Sequence, residues 1–323
     1  MQQRVGTLGR NGPVVSRVLQ VIGPAYAAIL VLLIVGHFIS ASFDTPDHLA
    51  TLLVLASFVI VAGFGQGIVI LTGGLDLSIP WTITFSGVVL SLLSQGSDRA
   101  ATWVIPVVLL LCVGVGVFNG LGIVLLGISP VVMTLATNAM LQGVVLVLTN
   151  GTPTGSAPPS LGELMNGRFL GSVPILIPPL LLFVVAGVLL LQRTSYGRQV
   201  YAVGNSPLVA RLSGIRVGVI LISVYVISAL CSGLAGLMLT GYGRQSYLGM
   251  GDQYLLPSIA AVVVGGASAL GGRGYYLGTV GGAILLATLG TILAGLTLPD
   301  AIKDIVFGLV VLLAVVANRE KAL

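Results

Sequence analysis

The sequence predicts an all-α integral membrane protein that crosses the bilayer about ten times, with both termini in the cytoplasm. Of its 323 residues, 56% are hydrophobic and only 7% are charged, whereas soluble domains carry roughly a quarter charged residues. The mean hydropathy is +1.10. The 45 glycines agree with this class, because glycine is commoner in transmembrane helices than in soluble ones. We therefore treat residues 1–323 as one transmembrane domain.

Ten apolar segments are long enough, or nearly long enough, to cross a membrane, since a spanning helix needs about 20 apolar residues. The first segment follows Arg4, Arg10 and Arg17, as in a signal peptide. It is longer than the apolar region of about 7–15 residues that a signal peptide has, so we expect a retained helix. The ten predicted segments are 19–39, 49–71, 79–95, 102–126, 130–149, 173–192, 217–241, 255–271, 276–296 and 302–317.

The basic residues predict the orientation. With a cytoplasmic N-terminus and ten crossings, ten of the 14 Lys and Arg residues fall on the cytoplasmic side, which is the positive-inside bias. This topology makes residues 1–18 a cytoplasmic segment, 193–216 a cytoplasmic loop and 150–172 an outer loop, which we expect to be irregular because it is rich in Gly, Pro and Ser. The ten cytoplasmic basic residues are Arg4, Arg10, Arg17, Arg193, Arg198, Arg211, Arg216, Arg273, Arg319 and Lys321.

Several functions are excluded by the sequence. The basic residues are scattered in short gaps between apolar segments, so the net charge of +5 does not indicate nucleic-acid binding. No G-x-x-x-x-G-K-[ST] motif occurs, so the chain is not itself a P-loop ATPase. No HExxH or GxSxG motif occurs either. We therefore expect a protein that is not an enzyme and that binds no cofactor or metal.

The cytoplasmic loop contains a short predicted helix, residues 205–214, with the sequence NSPLVARLSG. Asn205 or Ser206 suits the N-cap, Pro207 the first helical position, and Gly214 the position after the C-cap. The candidate contact residues of this helix are Asn205, Ser206, Pro207, Leu208, Ala210, Arg211, Leu212, Ser213 and Gly214.

The apolar face of that helix needs a cover. Leu208 and Leu212 lie on one face, and so short a helix is marginal in water without packing. It either rests on lipid headgroups, helped by Arg211 and Arg216, or docks onto a cytoplasmic partner. A basic amphipathic helix alone does not decide between them, and we favour the partner.

A second feature is the glycine-rich segment 265–274, GGASALGGRG. A short hydrophobic segment interrupted by glycine indicates non-helical backbone that lines a pathway. The alternative is close helix packing through small residues, which we also expect at Gly116–Gly120 and Gly278–Gly282. Both interpretations stay open, and the pathway candidates in this segment are Gly265, Gly266 and Ser268.

The stretch TGGLDLSIPW, residues 72–81, places Asp76 in an almost uncharged sequence. An ionisable residue inside a membrane segment is by default a functional candidate. However, Gly73 and Gly74 can end one helix, and Asp76 or Ser78 can cap the next one. We favour the structural cap, on a turn that lines the pathway.

Neutral polar residues inside the apolar segments suit a pathway for a polyhydroxy solute better than one for an ion. Thr134, Asn138 and Gln142 recur every four residues and therefore share one helix face. Gln66 and Asn119 are further candidates, and Thr137 is another polar residue in these segments. The alternative role for all six is hydrogen bonding between helices.

The stretches TGGLDLSIP, YAVGNSPLVARLSGIRV and PSIAAVVVGGASALGGRG resemble the permeases of ribose-, xylose- and galactose-type ABC importers, over about residues 50–316. The resemblance implies a bacterial inner-membrane importer with two permeases, identical or homologous, and two cytoplasmic ATPases that bind ATP and Mg²⁺. It also implies a periplasmic sugar-binding protein as a partner, and contact of residues 205–214 with the ATPase.

Two functions of different classes remain. In the first, the chain is an ABC permease for a monosaccharide or a related polyhydroxy solute. In the second, it is a secondary transporter in which Asp76 binds a proton or a sodium ion. A coupled carrier usually buries more than one ionisable residue along its path, and Asp76 is the clear candidate here, so we favour the permease.

Overall fold

A computed structural model describes residues 14–40, 43–169, 173–296 and 299–319. Within these ranges the chain forms thirteen α-helices, one 3₁₀ turn at Asp252–Tyr254 and a small β-hairpin. The helices are α1 (Val14–Ile39), α2 (Pro46–Leu71), α3 (Ile79–Ser94), α4 (Asp98–Leu125), α5 (Pro130–Thr149), α6 (Pro159–Asn166), α7 (Ile177–Arg193), α8 (Ser195–Asn205), α9 (Pro207–Leu212), α10 (Val217–Gly243), α11 (Leu255–Val264), α12 (Tyr276–Gly295) and α13 (Asp300–Arg319).

Five of the described helices, α2, α4, α5, α10 and α12, are long and apolar enough to cross a membrane. Helices α7 and α8 meet the same criterion together but are bent by 65° where they meet. If this bent pair is counted as one span, the described residues contain six spans long and apolar enough to cross a membrane. Helix α3, the part of α1 from Gly23 and the stretch Asp252–Val264 are apolar but shorter. The chain is therefore a helical, multi-pass protein, while the ten crossings and the cytoplasmic termini stay predictions.

Each of the ten predicted apolar segments overlaps one of these helices, and segment 130–149 coincides with α5. The prediction for 255–271 is wrong at its end, because α11 stops at Val264 and Gly266 has a φ of +87°. Of the charges that set the predicted orientation, Arg4, Arg10 and Lys321 lie outside the described residues.

The two long loops are more ordered than the sequence suggested. The predicted outer loop 150–172 contains α6 and the first strand of a hairpin, β1 (Arg168–Phe169), which pairs antiparallel with β2 (Val173–Pro174). The expectation that this loop is irregular is confirmed for residues 150–158 and wrong for residues 159–169, while residues 170–172 lie outside the described residues. The predicted cytoplasmic loop 193–216 is mostly helical, since it forms α8 and α9.

Helix α2 forms the centre of the bundle. Every residue from Ala56 to Leu71 is buried, so more than four turns are covered on all sides, as expected for a helix that is hydrophobic all round. Helix α10 packs on α2, α3 and α4, while α11 and α12 pack on another side of α2. The turns that follow α2 and α11 are consequently partly buried, since Asp76 and Gly272 are buried while Gly73 and Leu270 are exposed.

Both predicted pairs of small residues bring helices close together. A Cβ built at Gly116 of α4 would lie 2.5 Å from the Cα of Val226 in α10, and one at Gly120 would lie 2.7 Å from the Cα of Ile222. On α12, a Cβ at Gly278 would lie 1.9 Å from a backbone oxygen of the segment after α11. Only glycine permits these backbone approaches.

The contact between α4 and α10 predicts a difference between two glycines of one helix. Gly116→Ala places a methyl group against α10 backbone, and we expect it to lower the free energy of unfolding by about 1–3 kcal/mol, as overpacking does. Gly114 has nothing within 4 Å of an added Cβ, so Gly114→Ala is the matched control and should be neutral or slightly stabilising. Thermal unfolding of the two purified variants in detergent tests this, and equal effects would contradict it.

Candidate functional site

The turn between α2 and α3, residues 72–78, holds the one acidic side chain that is fully buried among the described residues. Gly73 adopts a φ of +82° and lets the chain leave α2, and Pro80 stands in the first turn of α3. Asp76 follows with 0% of its surface exposed. The turn therefore places a carboxylate inside the bundle, between α3 and α10.

Three hydrogen bonds hold the Asp76 carboxylate. Its Oδ1 accepts from the backbone N–H of Ser78 at 2.9 Å and from the Ser78 hydroxyl at 2.5 Å. Its Oδ2 accepts from the Ser228 hydroxyl of α10 at 2.6 Å. The N-cap of α3 is Ser78, and its side chain makes no capping bond. Ser78 therefore occupies the N-cap position, one of the two predicted, although its side chain makes no capping bond, and Asp76 is bonded to the N–H of Ser78 in the turn.

The hydrogen bonds continue from Ser78 into two further helices. The Ser78 hydroxyl accepts from Nδ2 of Asn119 in α4 at 3.0 Å. Oδ1 of Asn119 accepts from the hydroxyl of Thr137 in α5 at 2.6 Å. We call Asp76, Ser78, Asn119, Thr137 and Ser228 the buried polar network. It links α3, α4, α5 and α10 through side chains that are all buried.

Side chains of helix α5 accept hydrogen bonds from backbone N–H groups at and just before the start of α3. The backbone N–H of Leu77 donates to the Thr134 hydroxyl at 3.0 Å, and that of Trp81 donates to Oδ1 of Asn138 at 3.2 Å. The first N–H groups of a helix have no partner within it, so Asn138 satisfies that of Trp81 from outside α3, while Thr134 satisfies that of Leu77 in the preceding turn. Gln142, the third residue of the predicted stripe, is exposed instead.

The Asp76 carboxylate is held by neutral donors. Among the described residues, Arg168 forms a salt bridge with Asp47 and His37 lies 3.3 Å from Asp44, and neither contact involves Asp76. The described residues also contain no cluster of three or more His, Cys, Asp or Glu side chains suited to a metal ion. The network therefore orders helices and offers fixed polar atoms.

Two buried polar side chains near the centre of the bundle make no hydrogen bond within the described residues. They are Gln66 of α2 and the hydroxyl of Tyr225 in α10. A Cβ built at Gly74 would lie 2.5 Å from that hydroxyl, so Tyr225 borders the Asp76 turn. The structure does not join Gln66 to the buried polar network.

The glycine-rich segment combines both interpretations that the sequence allowed. Its backbone is non-helical, since Gly266, Gly271 and Gly272 all have positive φ values. It is also closely packed, because the N–H of Gly272 donates to the carbonyl of Leu71 at 2.9 Å. The segment therefore lies against the end of α2, next to the Asp76 turn, and its role in a pathway stays a prediction.

Helix α9 has the predicted caps. The Ser206 hydroxyl accepts from the N–H of Val209 at 3.3 Å, Pro207 begins the helix, and Gly214 follows the C-cap with a φ of +81°. The N–H of Ile215 donates to the carbonyl of Ala210 at 3.0 Å, which completes a Schellman motif. Asn205 is not the cap, because it ends α8.

The apolar face of α9 is uncovered in the described structure. Leu208 is 66% exposed and Leu212 is 80% exposed, while Ala210 packs inward at 2%. Arg211 and Arg216 are exposed beside them. The face that the sequence predicted to need a cover is therefore presented outward.

Four of the predicted pathway candidates lie close together, but a residue that bonds to one of them was not predicted. Asp76, Asn119, Thr134 and Asn138 meet around the turn, but the decisive Ser228 was not a candidate. Ser228 lies in an apolar segment, 152 residues from Asp76. The one feature of the sequence that could have identified Ser228 is that it is a small polar residue in such a segment.

Comparison with known proteins gives a family match over most of the chain. Residues 48–315 match the family described as branched-chain amino acid transport system / permease component. No solved structure matches the chain.

Three of its relatives are themselves permeases. The ribose import permease protein RbsC of Bacillus subtilis is 35% identical over 94% of this chain and 94% of the relative. RbsC of Escherichia coli K12 is 32% identical over 91% and 92%. The autoinducer 2 import system permease protein LsrD of Photorhabdus laumondii is 32% identical over 77% and 76%.

The geometry of the turn predicts different outcomes for two substitutions of Asp76. Asp76→Ala leaves three donors without an acceptor, which costs about 1–3 kcal/mol for each buried group left unpaired. Asp76→Asn keeps one acceptor oxygen toward Ser78 and presents an amide that donates to the Ser228 hydroxyl. We therefore expect a large loss of thermal stability in Asp76→Ala and a small one in Asp76→Asn, measured by unfolding in detergent.

The control for this pair is Asp44→Ala, because Asp44 is exposed and its contact with His37 lies at the surface. A stable Asp76→Ala variant would show that the carboxylate does not hold the turn. An Asp76→Asn variant as unstable as Asp76→Ala would show that the negative charge is required.

Proposed function

The chain belongs to the permease family of the branched-chain amino acid transport system, and on that premise we propose how it takes part in transport. It is the membrane-embedded permease subunit of a sugar ABC importer, a transport component and not an enzyme. Such a permease works with ATPase and binding-protein partners. Our proposal is that it lies in a bacterial inner membrane, pairs with a second permease, and binds neither ATP nor Mg²⁺, both of which the ATPase holds.

The contacts between loops support the proposed ten-crossing topology. Segments assigned to the cytoplasmic side meet one another, since Leu71 contacts Gly272 and Asn205 also contacts Gly272. Segments assigned to the outer side meet likewise, since Asp98 accepts from the N–H of Ser160 at 2.9 Å and the N–H of Ala157 donates to the carbonyl of Arg244 at 3.0 Å. Two separate groups of loops are what a chain with alternating crossings requires.

The exposed face of α9 is the observation that carries the proposal. Leu208 and Leu212 project from a rigidly capped helix that the positive-inside bias assigns to the cytoplasm. Two apolar side chains that project from a basic loop are suited to bind in a groove on a soluble protein. We propose that the ATPase subunit provides that groove and that α9 is the docking helix.

The exposed face of α5 supports a second permease as a partner. Only 28% of its most apolar stretch is buried within this chain, and Gln142 lies on the uncovered side. A polar amide facing lipid finds no hydrogen-bond partner there, whereas one facing a second subunit or an aqueous path does. We propose that the solute passes between the two permeases along this face, that a periplasmic sugar-binding protein delivers it, and that it leaves unchanged.

The hydrogen bonds of Asp76 weigh against the secondary transporter. Both carboxylate oxygens are already bonded to donors of the protein. A site for a metal cation such as sodium needs several oxygen atoms free to coordinate it, and a site for a proton needs a carboxylate oxygen that donors of the protein do not already occupy. Asp76 is better placed to hold the turn than to carry an ion.

Docking through α9 predicts that a charge on its face releases the ATPase. The double variant Leu208→Glu/Leu212→Glu should reduce the ATPase that co-purifies with the chain by about tenfold or more, as loss of a central interface residue does. Phe169→Glu is the control, since Phe169 is 63% exposed but lies on the outer loop. If the double variant retained its full share of ATPase, α9 would not be the docking helix.

Sugar uptake into membrane vesicles tests the function itself. Vesicles that contain the chain and its co-purifying partners are loaded with ATP or left without it, the proton gradient is collapsed, and labelled ribose, xylose and galactose are offered with the binding protein. We expect uptake of one of these sugars that needs both ATP and the binding protein. Uptake that ignores ATP but stops when the gradient collapses would overturn the proposal in favour of the secondary transporter.

A further inference from the structure

Helix α8 is tied to the glycine-rich segment by two side chains. Nδ2 of Asn205 donates to the carbonyl of Gly272 at 3.2 Å, and the hydroxyl of Tyr201 donates to the carbonyl of Gly274 at 2.8 Å. Asn205 and Tyr201 are four residues apart, so they lie on one face of α8. Neither bond is explained by the fold of α8 alone, because both acceptors belong to a segment about 70 residues away in sequence.

Three chain segments, around Leu71, Gly204 and Gly272, are in direct backbone contact, and we call this contact the junction. A Cβ built at Gly204 would lie 1.8 Å from the carbonyl oxygen of Leu71 and 2.7 Å from the nitrogen of Gly272. The N–H of Gly272 already donates to that same Leu71 carbonyl. A Cβ at Gly271 would lie 2.9 Å from the nitrogen of Gly73. With no side chains between them, none of these segments can shift without displacing the others.

The docking helix is joined to this junction without a flexible linker. Asn205 ends α8, and the next residue, Ser206, is the N-cap of α9. The N–H of Ser206 donates to the carbonyl of Ala202 at 3.1 Å, so one residue closes α8 and opens α9. Leu208, on the exposed face of α9, is three positions from Asn205.

Through Leu71, the junction is connected to the buried polar network. Leu71 is the last residue of α2, and Asp76 follows in the same turn. The turn is bonded to α10 through Ser228 and to α5 through Thr134. Contiguous contacts therefore run from the exposed face of α9 to helices α5 and α10.

We propose that Tyr201 and Asn205 are positioning residues that transmit displacement of the docking helix to the glycine-rich segment 265–274, and through Leu71 to the Asp76 turn. This inference rests on the proposed function, because it assigns the route by which ATP use in the partner reaches the membrane helices. The two bonds make α8 and the segment move as one body. Without them, α9 can still dock, but its movement is only partly passed on.

The chain offers a matched control on the same helix. The hydroxyl of Tyr196 in α8 bonds to the hydroxyl of Ser223 in α10 at 2.8 Å. Tyr196→Phe and Tyr201→Phe therefore each remove one hydroxyl from α8 and one hydrogen bond. Only Tyr201→Phe breaks a bond to the glycine-rich segment.

The experiment uses the whole importer, reconstituted in liposomes from this chain, its ATPase and its binding protein. The sugar among ribose, xylose and galactose that the unaltered importer takes up is the probe, and uptake and ATP hydrolysis are measured in the same sample. We expect Tyr201→Phe to lower the sugar moved per ATP hydrolysed by about two- to tenfold, the range that one hydrogen bond contributes. Asn205→Ala should act in the same direction, and Tyr196→Phe should leave the ratio unchanged.

The ratio separates transmission from a structural role. Loss of folded protein lowers uptake and hydrolysis in the same proportion, so an unchanged ratio in both Tyr201→Phe and Asn205→Ala overturns the inference, whatever happens to the rates. An equal fall in Tyr196→Phe also overturns it, because any weakening of α8 would then suffice. If the unaltered importer shows no ATP-dependent uptake, the proposed function fails and this inference fails with it. Co-purified ATPase is quantified for Asn205→Ala, since a lower ratio with full docking is the supporting result.

Discussion

The need to satisfy backbone hydrogen-bonding groups inside an apolar bundle explains most of the unusual sequence of this protein. The chain leaves helical geometry after α2 and after α11, in turns that are partly buried within the bundle. In such surroundings irregular backbone is tolerated only where protein or water supplies partners. Each turn solves this differently: the first uses polar side chains brought in from α5 and α10, and the second uses backbone groups that glycine allows to approach one another.

The two solutions differ in what they permit. Side-chain partners such as Thr134 and Asn138 hold the start of α3 at a fixed distance from α5, which makes a rigid corner. Backbone contact at Gly204, Gly271 and Gly272 instead lets three segments share one small volume. Packed elements have discrete arrangements and do not deform continuously. The fixed contact between α3 and α5 and the close backbone contact at the junction therefore suit a protein in which helices move as rigid bodies.

The sequence predicted the helices well and their ends less well. Apolar length alone located α2, α4, α5, α10 and α12, because burial and membrane insertion both act on composition. It overran at α11, because apolar length alone counts the glycines after Val264 as helix, whereas the glycine-rich pattern indicated the non-helical backbone that the positive φ values show. The caps of α9 were predictable since they are local, whereas the cap of α3 was not, because Asn138 belongs to another helix. Residues such as Ser228 and Gly272 gain their roles from contacts far apart in sequence, which single-sequence patterns do not contain.

Energetic magnitudes indicate why an aspartate can stand at position 76 without an ion to carry. Burying a charged carboxylate away from water is costly unless hydrogen bonds satisfy it. Hydrogen bonds to a charged group contribute about 1.5–3 kcal/mol each, and Asp76 accepts three. The turn itself therefore offsets the cost of burying this carboxylate. A carboxylate also suits the site because all three groups that face it are donors and it is an acceptor on both oxygens. The structural role is thus sufficient to account for the residue, and transport need not depend on its charge.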